Sequence, residues 1–326
     1  MNTSTASTAG SPKRVLVLEY SQTGQLAEIT RRIIAPLQQD ARIELHVETL
    51  RPVKPFPFPW GFLSFLDAFP ESAHMVPPAL QPLSLSGDED FDLVILPYQV
   101  WFLAPSQPVT AFIKHPLARR LLQGKPVVTV IACRNMWMLA QEKMKGLLQA
   151  CGARLLDNVV LVDPSPTLAS LWTTPLWLLS GKKQPLRILP PAGVDAASIH
   201  AARRFGLALR DALRNDEERG SAPLLAGLGA VDSDPHLLFS EQAGTRSFYL
   251  WGKLLRAVGG PGEARRYPWL ILYVIFLITL ILTVVPVSLL VQTLTRPFRQ
   301  RRFAALKQRF DQPSGSGRER MQQYEC

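Results

Sequence analysis

Short apolar runs alternate with amphipathic stretches over the first two thirds of the chain. Arg14–Leu18 is an apolar run of the kind expected for a strand buried on both faces. A turn over Glu19–Gln25 follows, then a helical period over Leu26–Gln39. Ile43–Val47 predicts a second strand and Phe91–Leu96 a third, which leads through the turn Pro97–Pro105 into a helix over Ser106–Leu122. Gly124 closes that helix. Val127–Ala132 predicts a fourth strand, and the turn Cys133–Met136 introduces a helix over Trp137–Cys151. Leu155–Val162 is a fifth strand, and Asp195–Glu218 a last amphipathic helix. Strands separated by helices of this length imply right-handed crossovers. The pattern therefore predicts an α/β fold with a doubly wound, five-stranded parallel sheet.

Two segments interrupt the alternation. Residues 51–86 are rich in proline and rings, including Phe56, Trp60, Phe65 and Phe69. Residues 163–192 carry Trp172, Trp177 and the pair Lys182-Lys183. Such rings pack in a core, line an apolar pocket or rest on lipid. The expected organisation is a disordered stretch 1–12, a domain 13–219 with these insertions, and a juxtamembrane linker 220–266 with one short helix, Leu237–Val258. A transmembrane or re-entrant helix 267–295 and a basic tail 296–326 complete it. On that division the core ends by about Glu218, and a chain cut before Tyr267 should still fold.

Pro268–Thr295 contains no charged residue. At about 1.5 Å per residue it reaches about 40 Å, enough to cross a hydrocarbon core of about 30 Å. Pro286 divides it, so it reads either as one kinked span or as a re-entrant helix–Pro–helix. The formal net charge of +10 is concentrated around this segment: eight Lys/Arg against three Asp/Glu in 296–326, and four against one in 253–267. That leaves only +2 for residues 1–252, so the basic balance marks the flanks of an anchor and not a nucleic-acid-binding face. The N-terminal MNTSTASTAGSPKR has no apolar run that would export the domain. The expectation is a cytoplasmic domain anchored in the inner membrane, with membrane lipid as partner through 267–295 and no nucleic acid. Three cysteines, Cys133, Cys151 and Cys326, are too few for a disulfide framework or a four-ligand zinc site, and no metal site is expected.

In a parallel sheet, ligands bind outside the carboxyl ends of the strands, so the turns after strands one, three and four are the places to look for chemistry. The first, Tyr20-Ser-Gln-Thr-Gly-Gln25, offers hydroxyls, one glycine and helix-start amides suited to a phosphate monoester. It lacks the glycines of a dinucleotide fingerprint and the Gly-Lys-Ser/Thr of a Walker loop. Ser21-Gln22-Thr23-Gly24-Gln25 after Val15–Leu18 resembles the FMN phosphate loop of flavodoxins. Asp92–Ile113 resembles the corresponding stretch of NAD(P)H:FMN reductases, with Tyr98, Gln99, Val100, Trp101 and Phe102 in the aromatic turn. Arg134, Asn135 and Met136 stand where those proteins place a third flavin-contacting loop. The resemblance implies a flavodoxin-like fold and FMN as cofactor, held by these three turns. Leu26 stands where the phosphate loop would have its last threonine, and Thr110 where the reductases often have lysine.

A narrower resemblance spans nearly the whole chain. Val15–Leu26, Pro57–Trp60, Tyr98–Leu103 and Val130–Trp137 are similar to a bacterial family of dialkylresorcinol biosynthesis, whose members are labelled condensing enzymes or aromatases. A thiolase-type condensing enzyme needs a nucleophilic Cys with His or Asn partners, and Cys133 has none at a recognisable spacing. The oxidative label then implies loss of two electrons and two protons from a 2,5-dialkylcyclohexane-1,3-dione, a lipophilic small-molecule substrate. Tyr98, His74 and His115 are the candidate bases. Two other functions stay open at this point: an NAD(P)H-dependent flavin or quinone reductase, and a flavin-free scaffold at the membrane. Flavodoxin-like reductases are often homodimers, and the sequence isolates no interface.

Overall fold

The computed structural model describes residues 11–295 and 300–324. The expected disordered segment 1–12 therefore falls, up to residue 10, outside the described residues, as do 296–299 and 325–326 of the tail. Five parallel strands form the sheet: β1 (Lys13–Glu19), β2 (Ile43–Thr49), β3 (Leu93–Trp101), β4 (Pro126–Cys133) and β5 (Arg154–Val162), in the order 2-1-3-4-5. This is the flavodoxin-like order, with the direction of winding reversing between β1 and β3. The apolar runs are continuous because both faces are covered: Val15 to Leu18, Leu93 to Leu96 and Val130 with Ile131 are all fully buried.

Helix α1 (Gln25–Gln38) buries Leu26, Ile29, Ile33 and Leu37 against the sheet. Two short helices, α2 (Phe62–Asp67) and α3 (Phe69–Ala73), lie in the aromatic insertion. The helix expected over Ser106–Leu122 is two, α4 (Gln107–Ile113) and α5 (Pro116–Leu122). Pro116 cannot donate within a continuing helix, and His115 caps the second one, its Nδ1 accepting the Leu117 N–H at 3.3 Å. After β4 come α6 (Met138–Ala150) and, beyond β5, α7 (Thr167–Ser180) in the second insertion. Then follow α8 (Ala196–Ala201), whose N-cap Asp195 accepts the Ser198 N–H, and α9 (Arg203–Arg214). The chain ends with α10 (Leu238–Val258), α11 (Tyr267–Thr295) and α12 (Gln300–Asp311).

Residues 220–266 are no linker. Leu224, Leu225, Leu228, Ala230 and Val231 are buried in the main core, and Ala230 O accepts the Val160 N–H of β5 at 2.8 Å. The tail packs here too. Gly317 O and Gly315 O accept from Gly229 and Val231, Phe310 joins the core, and Arg320 donates to Leu224 O and Ala226 O. These segments cover the outer edge of β5, which a parallel sheet would otherwise leave open. A cut before Tyr267 removes part of this cover, so the boundary expected at that point is corrected. A second, smaller core of Leu66, Phe69, Leu255, Leu270 and Tyr273 joins α2, α3, α10 and the start of α11.

Among the described residues, no helix is long and apolar enough to cross a membrane.

Asp157 ties the two late segments to β5. Its buried carboxylate accepts N–H bonds from Leu224 at 2.8 Å and Leu225 at 3.1 Å, and the Ser314 hydroxyl at 2.7 Å. Burial raises its pKa from 3.8 to about 6, against the lowering effect of those donors. A folded-state value above the unfolded one means stability present in full below about pH 4 and lost as pH rises to about 6. Asp157→Asn should therefore gain about 3 kcal/mol on the native protein between pH 4 and pH 7. Denaturant titrations of both proteins at the two pH values measure that difference. Parallel pH dependences would show that Asp157 has no raised pKa.

Candidate functional site

The turns after β1, β3 and β4 lie side by side at one edge of the sheet, since these strands are neighbours. In the first turn Gly24 adopts φ 83°, a left-handed conformation open to glycine, and starts α1. No side chain caps α1, so its first amides face the turn without an intramolecular acceptor from a cap residue. Thr23 Oγ1 lies 3.5 Å from the Gln25 nitrogen, and Ser21 Oγ is buried with no partner among the described residues. Two of the expected contacts are used elsewhere. The Gln22 amide donates to Pro57 O at 2.5 Å, while its oxygen accepts the Tyr20 hydroxyl. The Gln25 side chain exchanges two bonds with Val194, at 2.9 and 3.0 Å. Leu26 is buried in the main core and offers no hydroxyl.

Strand β3 runs five residues beyond its expected end and folds back on itself, Trp101 opposite Ala104 and Val100 opposite Pro105. The two residues between, Phe102 and Leu103, both have positive φ, 49° and 59°. A two-residue hairpin turn needs this conformation, and bulky side chains adopt it at a cost of about 1–2 kcal/mol each. Phe102 is held by rings of Phe65, Phe69 and Phe248, and Leu103 O accepts the Lys143 ammonium at 2.9 Å. Strand alternation sends Tyr98 and Gln99 to opposite faces. Tyr98 is fully buried and donates to Gln141 Oε1 at 2.5 Å, whereas both polar atoms of the Gln99 amide are buried and find no partner among the described residues.

In the third turn, Asn135 Nδ2 donates to Thr167 Oγ1 at 3.2 Å, while its Oδ1 is buried without a partner. Arg134 lies 3.4 Å from Met136 Sδ, and burial lowers its pKa. Burial also raises the Cys133 thiol far above its usual range, with the Glu241 charge adding to it, so Cys133 is no thiolate nucleophile. The start of α6 is already occupied by Glu241 of α10, which accepts from Met138 and Leu139 at 3.2 and 2.8 Å.

A cover lies over this edge. Helix α7 begins at Asn135 through Thr167 and ends against the aromatic insertion, where Leu178 O accepts the Trp60 N–H at 2.8 Å. Ser170, Thr173 and Trp177 form its buried face, and Thr173 Oγ1 has no partner. Trp101 packs edge-on against Tyr20, Phe56 and Trp60, with centroids 5.0–6.0 Å apart, so the aromatic insertion closes one flank. Phe56 and Trp60 also line a cavity of about 730 Å³ beside the α10–α11 elbow, whose cations are Lys54, Arg256, Arg265 and Arg266.

The structure thus brings together Ser21, Thr23, Gly24, Gln99, Val100, Trp101, Asn135 and Met136 at one edge. It takes all three candidate bases away from it. Tyr98 sits in a core network of Gln141, Thr129 and Asn158, and its burial holds the phenol protonated. His74 stacks on Tyr249 at 4.4 Å and bonds its carbonyl, and His115 is the cap of α5. Thr173 was not visible as a site residue beforehand. The i, i+3, i+7 spacing of Ser170, Thr173 and Trp177 on an otherwise apolar helix is the signal that could have found it.

No family model matches the chain, and no curated protein matches it. Solved structures similar to it include a flavoprotein from Lactobacillus acidophilus in complex with FMN, 13% identical over 45% of this chain and 93% of that chain, with TM-score 0.37. An archaeal flavodoxin is 9% identical over 62% of this chain and 99% of its own, with TM-score 0.34. A flavoprotein described as putative, from Bacteroides eggerthii, is 16% identical over 46% and 87%, with TM-score 0.33. At these scores the likeness adds nothing to the strand order, which carries the flavodoxin-like architecture by itself.

Proposed function

We propose that this chain is an FMN-binding oxidoreductase that acts on a lipophilic ring substrate at the inner membrane, with its domain on the cytoplasmic side. One observation carries the reading: Ser21, Gln99, Asn135 and Thr173 bring buried polar atoms without partners among the described residues to the three turns and their cover. Buried polar groups are nearly always hydrogen-bonded, so several at one edge call for a polar ligand. FMN fits this donor set. The amides at the start of α1 with Ser21 and Thr23 would hold its phosphate. Gln99 and Asn135 would meet the polar edge of its ring, and Trp101 would pack against the apolar part. When bound, FMN supplies a two-electron acceptor.

The finer reading is aromatisation of a 2,5-dialkylcyclohexane-1,3-dione to a dialkylresorcinol, in which the ring loses two electrons and two protons and bound FMN would supply the two-electron acceptor. The described turns Tyr20–Gly24, Gln99–Leu103 and Cys133–Trp137 carry no His, Asp or Glu. That suits a substrate whose C–H is acidic between two carbonyls and gives up its proton to water. The chain's part is then to orient the ring and exclude side reactions, through α7 above and the Trp60–Trp101 cluster at the flank. The cavity beside Phe56 and Trp60 offers room for alkyl chains.

The test is the visible spectrum of the purified protein. A yellow preparation absorbing near about 450 nm is expected, and Thr23→Glu should lose the colour by placing charge and bulk at the phosphate position. Dione-dependent bleaching would favour the aromatase, and NAD(P)H consumption without it the reductase. A colourless wild-type protein that takes up no added FMN overturns the flavin reading and leaves a scaffold.

A further inference from the structure

The two ends of α11 are held by one body. At its start, Leu270 and Tyr273 are buried in the smaller core, and Tyr273 packs on Phe69 with centroids 4.4 Å apart. Past its end, the chain returns to the sheet. Phe303 meets His236 at 4.1 Å between centroids, and Lys307 pairs with Asp232. Asp311 accepts the Ser233 N–H at 2.9 Å, and Phe310 lies in the main core.

Chain length then fixes the topology. Five residue steps from Thr295 to Gln300 reach at most about 18 Å, and the rise from Gln300 to Phe303 adds about 5 Å. The end of α11 lies within about 23 Å of Phe303, which rests on the domain. A hydrocarbon core is about 30 Å thick, so a helix that crossed it would pull the tail out of the main core.

The start of α11 is also divided lengthwise. Leu270, Tyr273, Val274 and Leu277 face the domain. Ile271, Leu272, Ile275, Ile278 and Leu282 stand outward, with Ile275 58% and Leu282 63% exposed. Leu250 and Leu254 of α10 are exposed apolar residues as well, and Lys253, Arg265, Arg301 and Arg302 are exposed cations on the flanking segments. Apolar side chains flanked by cations match acyl chains beneath anionic headgroups.

We infer that α11 is monotopic: it enters and leaves the bilayer from the domain's side, and the tail stays docked on the domain. This rests on the membrane association proposed above and decides between its two topologies. Lipid is the partner because the sequence from Pro268 to Thr295 has no charged residue with which to meet an aqueous or polar protein surface.

The full chain, expressed in a bacterial host, is collected in inside-out inner-membrane vesicles, whose outer surface is cytoplasmic. Carbodiimide should join Lys307 to Asp232 in the membrane-bound protein, and a membrane-impermeant maleimide should label Cys326 without detergent, both located by peptide mass spectrometry. Ile275→Asp with Leu282→Asp should lower the bound fraction at least tenfold and leave the Lys307–Asp232 cross-link intact. Bound protein without that cross-link, and with Cys326 protected until detergent is added, would overturn the inference in favour of a crossing helix. Recovery of the native chain in the soluble fraction, unaffected by the double variant, would overturn the membrane association itself.

Discussion

Arg266→Ala is expected to cost about 4 kcal/mol of stability and to lower the melting temperature by roughly 8–16 °C in detergent. The side chain is 1% exposed and each of its three nitrogens donates. Its Nε donates to Leu255 O at 3.2 Å and Gly259 O at 2.7 Å. Nη1 reaches Asp67 and Glu71 at 3.2 Å each, and Nη2 reaches Glu71 at 2.7 Å. One guanidinium thus joins the aromatic insertion to the elbow between α10 and α11. Removing it leaves Asp67 buried without the cation it pairs with and Glu71 with only Arg256 at 3.9 Å, which is worse than never having had the pair. Arg265→Ala is the control, because that neighbour is 66% exposed and, among the described residues, pairs only with Glu263; its loss should stay within about 0.5 kcal/mol. Thermal unfolding followed by circular dichroism compares the two. Asp67→Asn with Glu71→Gln in the Arg266→Ala background should recover part of the loss, and equal stability of Arg266→Ala and Arg265→Ala would refute the account.

Much of the sheet was legible because its strands are buried on both faces. A run such as Val15–Leu18 needs no partner to be recognised, and each strand was placed within a few residues except at the end of β3. There the turn residues Phe102 and Leu103 break the usual rule, since glycine or asparagine normally marks positive φ. Residues 220–266 and the tail were misread for a different reason. Leu224, Leu228 and Ala230 stand among Gly and Pro in a stretch without periodicity, and only the open edge of β5 makes them core. The phosphate-type turn was legible from its glycine and hydroxyls. The candidate bases were not, because a titratable residue type says nothing of direction. Tyr98 and Gln99 are adjacent in β3, and the pleat gives one to the core network and the other to the candidate site.

Gly206→Ala should be the most damaging glycine-to-alanine change among the described residues, costing about 3 kcal/mol or more. Helix α9 crosses α1 at this residue, and a Cβ there would lie 1.8 Å from Ile33 O, 2.8 Å from Ile33 C and 3.0 Å from Pro36 Cδ. The obstacle is backbone, which cannot rotate away as a flexible side chain would, so the helices must separate. Ala208, Leu209, Ala212 and Leu213 on α9 are all buried behind the crossing, and separation loosens each of them. Because α1 begins directly after Gly24, its displacement also moves the amides of the candidate phosphate site, and a flavin bound there should be held more weakly. Gly146→Ala supplies the contrast. Nothing lies within 4 Å of a Cβ at that exposed position in α6, so the change should add about 0.5–1 kcal/mol through helix propensity. Denaturant unfolding of the two variants should therefore move in opposite directions from the native protein. A Gly206→Ala chain as stable as the native one would mean that α1 and α9 do not cross this closely.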